Sequence, residues 1–88
     1  MKVALIDHGG DCLSIAYRIK QQGDKVLYLV TSEDPLAKKI GLGIVDKADS
    51  INDIIHFSPD VAICYQDVEA RAPLKAHSIP YVGPTEKS

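Results

Sequence analysis

Three short, uninterrupted apolar runs fix most of what this chain can become: "KVALID" at residues 2–7, "KVLYLV" at 25–30 and "VAICY" at 61–65. Runs this short, bounded by turn residues and without polar alternation, are the pattern of strands covered on both faces. After the first run, Cys12, Ile15, Ala16 and Ile19 recur at helical spacing, while Arg18, Lys20, Gln21 and Gln22 fall mostly on the other side. Asp11 is the expected cap of this helix and Gly23 its stop. Buried strands that alternate with amphipathic helices require right-handed crossovers in a mainly parallel sheet with helices on both sides. The expected fold is therefore α/β, a small Rossmann-like three-layer domain with a mainly parallel sheet of roughly 4–5 strands.

The remaining elements are shorter. In "SEDPLAKKIG", Ser32 or Asp34 can cap one or two helical turns that Pro35 opens and Gly41 stops, and a tiny strand is expected at "GIVD". "INDIIHF" puts Ile51, Ile54 and Ile55 on one helical face after Ser50 or Asn52, and "SPD" breaks it. "DVEARAPLKAHS" has weak helical character, with Pro73 either opening a short helix or kinking a longer one, and "IPYVGPT" reads as a last extended segment.

At 88 residues the chain is expected to be a single domain spanning 1–88, too small to be a complete enzyme of the usual kind. Its 12 acidic and 10 basic residues give a net charge of -2, which argues against nucleic acid or an anionic membrane as partner. No apolar stretch approaches the roughly 20 residues that span a bilayer, and a cytoplasmic location is expected. Two cysteines, Cys12 and Cys64, make no disulfide framework and read as small buried hydrophobes.

The chemistry-bearing stretch is "DHGGD", residues 7–11, between the first strand and the first helix. In an open α/β sheet, ligands sit beyond the carboxyl ends of the strands where strand order reverses, and this loop lies on that edge. Gly9 and Gly10 allow a ligand to approach main-chain N–H groups at a helix N-terminus. Asp7, His8, Gly9, Gly10 and Asp11 are accordingly the candidate substrate-binding residues, for a sugar phosphate or another small polar ligand. The alternative is a plain strand-to-helix turn capped by Asp11, since Asp7 and Asp11 bracket the loop with charge that repels a phosphate.

The spacing is not G-x-G-x-x-G: Asp7 and Cys12 stand where its first and last glycines belong, and no acidic residue ends the second strand to hold a ribose. A dinucleotide site is not expected. A second polar cluster, Gln66, Asp67, Glu69 and Arg71, follows the third buried strand on the same edge, and Gln66 joins the candidate binding residues; Asp67 as a helix cap is the competing reading. His8, Cys12 and Cys64 do not have the close ligand spacing of a metal site, and His56 and His77 fit helix ends. No catalytic residue is identified.

"MKVALIDHGGDCLSIAYRIKQQGDKVLYL", "DIIHFSPDVAICY" and "SIPYVGPTEKS", in that order, resemble the N-terminal, pre-ATP-grasp domain of ATP-grasp ligases, in particular the phosphoribosylamine–glycine ligases of purine biosynthesis. The segment "IPYVGPT" carries the likeness most specifically. The resemblance implies a substrate-side domain, inactive alone, with ATP and magnesium held only by an ATP-grasp domain that this chain lacks. It also implies that the glycine loop meets phosphoribosylamine, although Asp11, Cys12 and Leu13 stand where that family has Arg, Glu and His. A non-catalytic module binding a small molecule or a protein is the alternative. The expected partners are an ATP-grasp domain or partner chain, or a second copy in a homo-oligomer.

Overall fold

A computed structural model describes residues 1–65 and 71–82, apart from the Arg71 side chain. The elements follow in the order β1 (Lys2–Asp7), α1 (Leu13–Gln21), β2 (Lys25–Val30), α2 (Pro35–Lys38), β3 (Asp46–Ala48), α3 (Ile51–Phe57), β4 (Val61–Tyr65), α4 (Arg71–Ala76) and β5 (Tyr81–Val82). All the pairings are parallel and the strand order is β3-β2-β1-β4-β5, so the expected Rossmann-like α/β fold is the observed one, with five strands.

Alternation along the strands builds two cores from one sheet. Ala4 and Ile6 of β1, Leu29 of β2 and Ala62 and Cys64 of β4 face α3 and α4, where Ile54 and Leu74 are fully buried. Leu5, Val26, Tyr28 and Val30 face α1 with Cys12 and Ala16, and Ala37 and Ile40 pack at its margin. Each central strand is thus apolar on both sides, which is why its sequence reads as a continuous run rather than an alternating one. Cys12 and Cys64 lie in different cores, on opposite faces of the sheet.

Three local expectations change. Asp11 does not open α1: the cap position is Cys12, whose side chain makes no capping bond, and the Cys12 N–H donates to Asp7 Oδ2 at 2.9 Å. A carboxylate five residues upstream, held under the helix by β1, has taken the capping role. The third strand is Asp46–Ala48 rather than "GIVD", because Gly41, at φ 92°, turns the chain and its carbonyl accepts from the N–H groups of Ile44 and Val45, both at 3.0 Å. Ser50 precedes α3 without a side-chain capping bond, while the Asp53 carboxylate accepts from Asp49 N–H at 2.8 Å.

Other local signals hold. Asp34 caps α2 by accepting from Leu36 N–H at 3.0 Å, with Pro35 at the first helical position. Pro73 lies in the first turn of α4, where no helical donor is lost. Gln66, Asp67 and Glu69 lie outside the described residues, as do residues 83–88, which include the end of "IPYVGPT". Among the described residues, no helix is long and apolar enough to cross a membrane.

Candidate functional site at the carboxyl edge of the sheet

Strand β1 delivers Asp7 to the edge where strand order reverses, and there its side chain turns inward. Asp7 is fully buried. One carboxylate oxygen, Oδ2, accepts from Cys12 N–H at 2.9 Å and from the Tyr28 hydroxyl at 2.8 Å; the other accepts from Gly9 N–H at 3.3 Å. The loop therefore wraps an anion, and that anion is its own. Two main-chain donors that an incoming phosphate would need are already committed to the Asp7 side chain.

A cation lies against the Tyr28 ring. The Lys47 ammonium lies 4.5 Å from the centre of the Tyr28 ring and donates to the Ile40 carbonyl at 2.6 Å. Partial burial lowers the Lys47 pKa from its ordinary 10.5, and the negative charge of Asp7 works the other way. Burial, reinforced by the hydrogen bond to Asp7 and its charge, pushes the Tyr28 hydroxyl well above the usual phenol range. The Cys12 thiol rises from 9.0 to about 11, chiefly through burial and then through the charges of Asp7 and Asp11. A thiol so placed stays protonated at neutral pH and is a poor nucleophile.

Gly10 is constrained by the chain itself. It sits at φ 88°, and a Cβ placed there would collide with Ile40 Cδ1. The close approach that this glycine permits is that of a neighbouring side chain, whereas an added Cβ at Gly9 would meet nothing nearer than Asp11 Oδ2 at 3.7 Å. His8, Gly9 and Asp11 are exposed, and His8 Nδ1 lies 3.3 Å from Thr31 Oγ1. Backbone bonds from Thr31 N–H to the Asp7 carbonyl at 2.8 Å and from Ser32 N–H to the His8 carbonyl at 2.9 Å fasten the loop's start to the end of β2.

The expected binding residues therefore divide. Asp7 and Gly10 are internal, one as the anion at the loop's heart and one as the seat for Ile40. His8, Gly9 and Asp11 form the outer surface, and Gln66 lies outside the described residues. The sequence reading missed Tyr28, Lys47 and Tyr65. Tyr65 pairs in register with Asp7 and is 42% exposed, which puts an aromatic residue beside the loop at the reversal point. Its signal was available: it is the aromatic residue that ends a run otherwise made of small and aliphatic residues.

Among the described residues, hollows lie near this edge. One, of about 230 Å³, is lined by Val30, Lys38, Leu42, Lys47, Ala48 and Asp49, beyond the ends of β2 and β3. Another, of about 420 Å³ and mostly apolar, is lined by Leu13, Ser14, Tyr17 and Ile44 on the outer side of α1.

No protein-family model matches the chain, and no curated protein matches it. Among solved structures it is similar to prephenate dehydrogenase from A. aeolicus in complex with hydroxyphenyl propionate and NAD+, at 21% identity and a TM-score of 0.57, over 94% of this chain and 34% of that one. The chain thus spans about a third of that enzyme's length, and at this identity the likeness is one of fold. The expected kinship with phosphoribosylamine–glycine ligases is overturned: the structural likeness leads to a dehydrogenase rather than to an ATP-grasp ligase. The ligase and purine-biosynthesis expectations fall with it. A shared fold does not carry substrate.

Proposed function

We propose that this chain is a non-catalytic Rossmann-type module that binds a small polar ligand of nucleotide or sugar-phosphate size along the carboxyl edge of its sheet. The observation that carries this reading is the meeting, where strand order reverses, of the exposed loop residues His8, Gly9 and Asp11 with the exposed Tyr65 opposite Asp7. Such a place offers polar groups for orientation and an aromatic surface for a planar group. Asp7 positions the loop from inside, and the Tyr28 hydroxyl holds Asp7. The Thr31 hydroxyl lies 3.3 Å from His8 Nδ1 and 3.5 Å from the Asp7 carbonyl, and the Cys12 thiol is held protonated.

The NAD+ bound by the dehydrogenase neighbour makes NAD+ one ligand to try, with AMP and ribose 5-phosphate as smaller probes. The test is amide chemical-shift mapping of the full chain during titration with each. Saturable shifts confined to residues 8–11, 31–32 and 65 are expected for at least one probe; the absence of saturable shifts there with all three overturns the reading.

A second reading, a protein-docking module, is favoured by the apolar hollow on α1, with Tyr17 45% and Ile44 42% exposed at its walls. In that case self-association through this face is the expected behaviour. A single monomeric species by light scattering at high concentration argues against it.

A further inference from the structure

We propose that the hollow beyond β2 and β3 is an oxyanion site, in which Lys38 and Lys47 receive a phosphate or carboxylate group of the ligand. The inference rests on the reading that the carboxyl edge binds a polar ligand, and it names where that ligand's charge goes.

The glycine loop cannot readily serve as the anion end. Its Gly9 and Cys12 N–H groups already donate to Asp7, and Asp11 adds an exposed negative charge. Among the described residues, two lysines line the neighbouring hollow. Lys38 ends α2 and Lys47 lies in the middle of β3, so one hollow is lined by lysines from two different elements.

Lys47 is held in place. Of its three N–H donors one is directed at the Ile40 carbonyl, 2.6 Å away, while the Tyr28 ring 4.5 Å from the nitrogen fixes its side. Such a group has little conformational freedom left to lose when it meets an anion. Its burial disfavours the charged form, a cost that a bound oxyanion offsets. Lys38 is exposed and supplies the second, adjustable charge.

The apolar part of the wall, from Val30, Leu42 and Ala48, lowers the local dielectric and strengthens both contacts. Asp49 also lines the hollow, so the balance of its charged side chains is two positive against one negative. That balance favours a singly charged oxyanion and sets a limit on affinity. Ile40 connects this site to the loop: its side chain packs against Gly10, and its carbonyl holds Lys47.

The experiment is amide and lysine side-chain NMR on the full chain during titration with inorganic phosphate and, separately, acetate. The expected result is saturable shifts at Lys38, Leu42, Lys47 and Asp49, weakened about ten-fold in Lys38→Ala, the size of one lost charged hydrogen bond. Asp49→Asn is expected to tighten binding by about three-fold by removing a repulsive charge. Lys47→Met should abolish the shifts; if that variant fails to fold, the exposed Lys38 and Asp49 variants decide alone. A stronger response to phosphate identifies a phosphate-bearing ligand, and a stronger response to acetate a carboxylate.

Non-saturating shifts that are unchanged in Lys38→Ala mean simple screening and overturn the proposal. So do saturable phosphate shifts confined to residues 8–11, in which case the edge reading stands and only the assignment of its anion end falls. If neither anion shifts the hollow and none of NAD+, AMP and ribose 5-phosphate shifts the loop, both readings are overturned.

Discussion

The glycine loop and the hollow beyond β2 and β3 share one edge of the sheet but are built in opposite ways. In the loop, the donors are consumed by Asp7 and the space beside Gly10 is occupied by Ile40. In the hollow, two lysines line unfilled space. Paired glycines after a first strand thus do not by themselves mark a ligand loop. What decides is whether the chain fills the cradle with its own groups, and here it does.

The sharpest way to break this comparison is Asp7→Ala. The substitution strands the Tyr28 hydroxyl and two loop N–H groups and leaves Lys47 without its neighbouring charge. A loss of about 3 kcal/mol in unfolding free energy by urea titration is expected. Stability equal to the parent chain would show that the carboxylate does not hold the loop.

Next in size is the contrast between the two glycines. Gly10→Ala combines a left-handed backbone with a collision against Ile40 and should cost about 2 kcal/mol. Gly9→Ala, with open space around it, should stay within about 0.5 kcal/mol. Equal effects in urea titrations would remove Ile40 as the reason for Gly10.

Tyr28→Phe deletes the hydroxyl donated to Asp7 while keeping the ring beside Lys47, and a cost of about 1.5 kcal/mol is expected. If the same substitution in an Asp7→Ala background costs as much as it does alone, the two residues are not coupled.

A further effect is one of pH. Cys12 keeps its proton to about pH 11 in the folded chain against 9.0 ordinarily, so between these values the unfolded chain has released a proton that the folded chain retains. Rising pH then favours unfolding, and stability should fall across that interval. Tyr28, also raised, acts in the same direction at higher pH. Lys47, lowered, acts in the opposite direction, releasing its proton earlier when folded. In Cys12→Ala the decline from pH 9 should be shallower, which thermal melts at a series of pH values would show.

The fold was legible because its determinants are local. The three apolar runs and the helical spacing of Cys12, Ile15, Ala16 and Ile19 specify their elements without reference to anything distant. The site was legible only in part, because its determinants are not local. Asp7 finds Tyr28 across 21 positions of sequence, and the need for glycine at position 10 comes from Ile40. Asp11 was a reasonable cap by type and position, and it lost that role to a carboxylate that the strand had already placed beneath the helix. Spacing could locate the edge of the sheet, but not which side chains would turn inward there.

The placement of Cys12 and Cys64 in separate cores gives the molecule two built-in clocks. An alkylating reagent reaches Cys12 only when the α1 layer lifts from the sheet, and Cys64 only when the α3–α4 layer does. Mass spectrometry of the partly labelled chain would time the two openings separately. A ligand that tightens the loop should slow the first clock and leave the second running at its own rate.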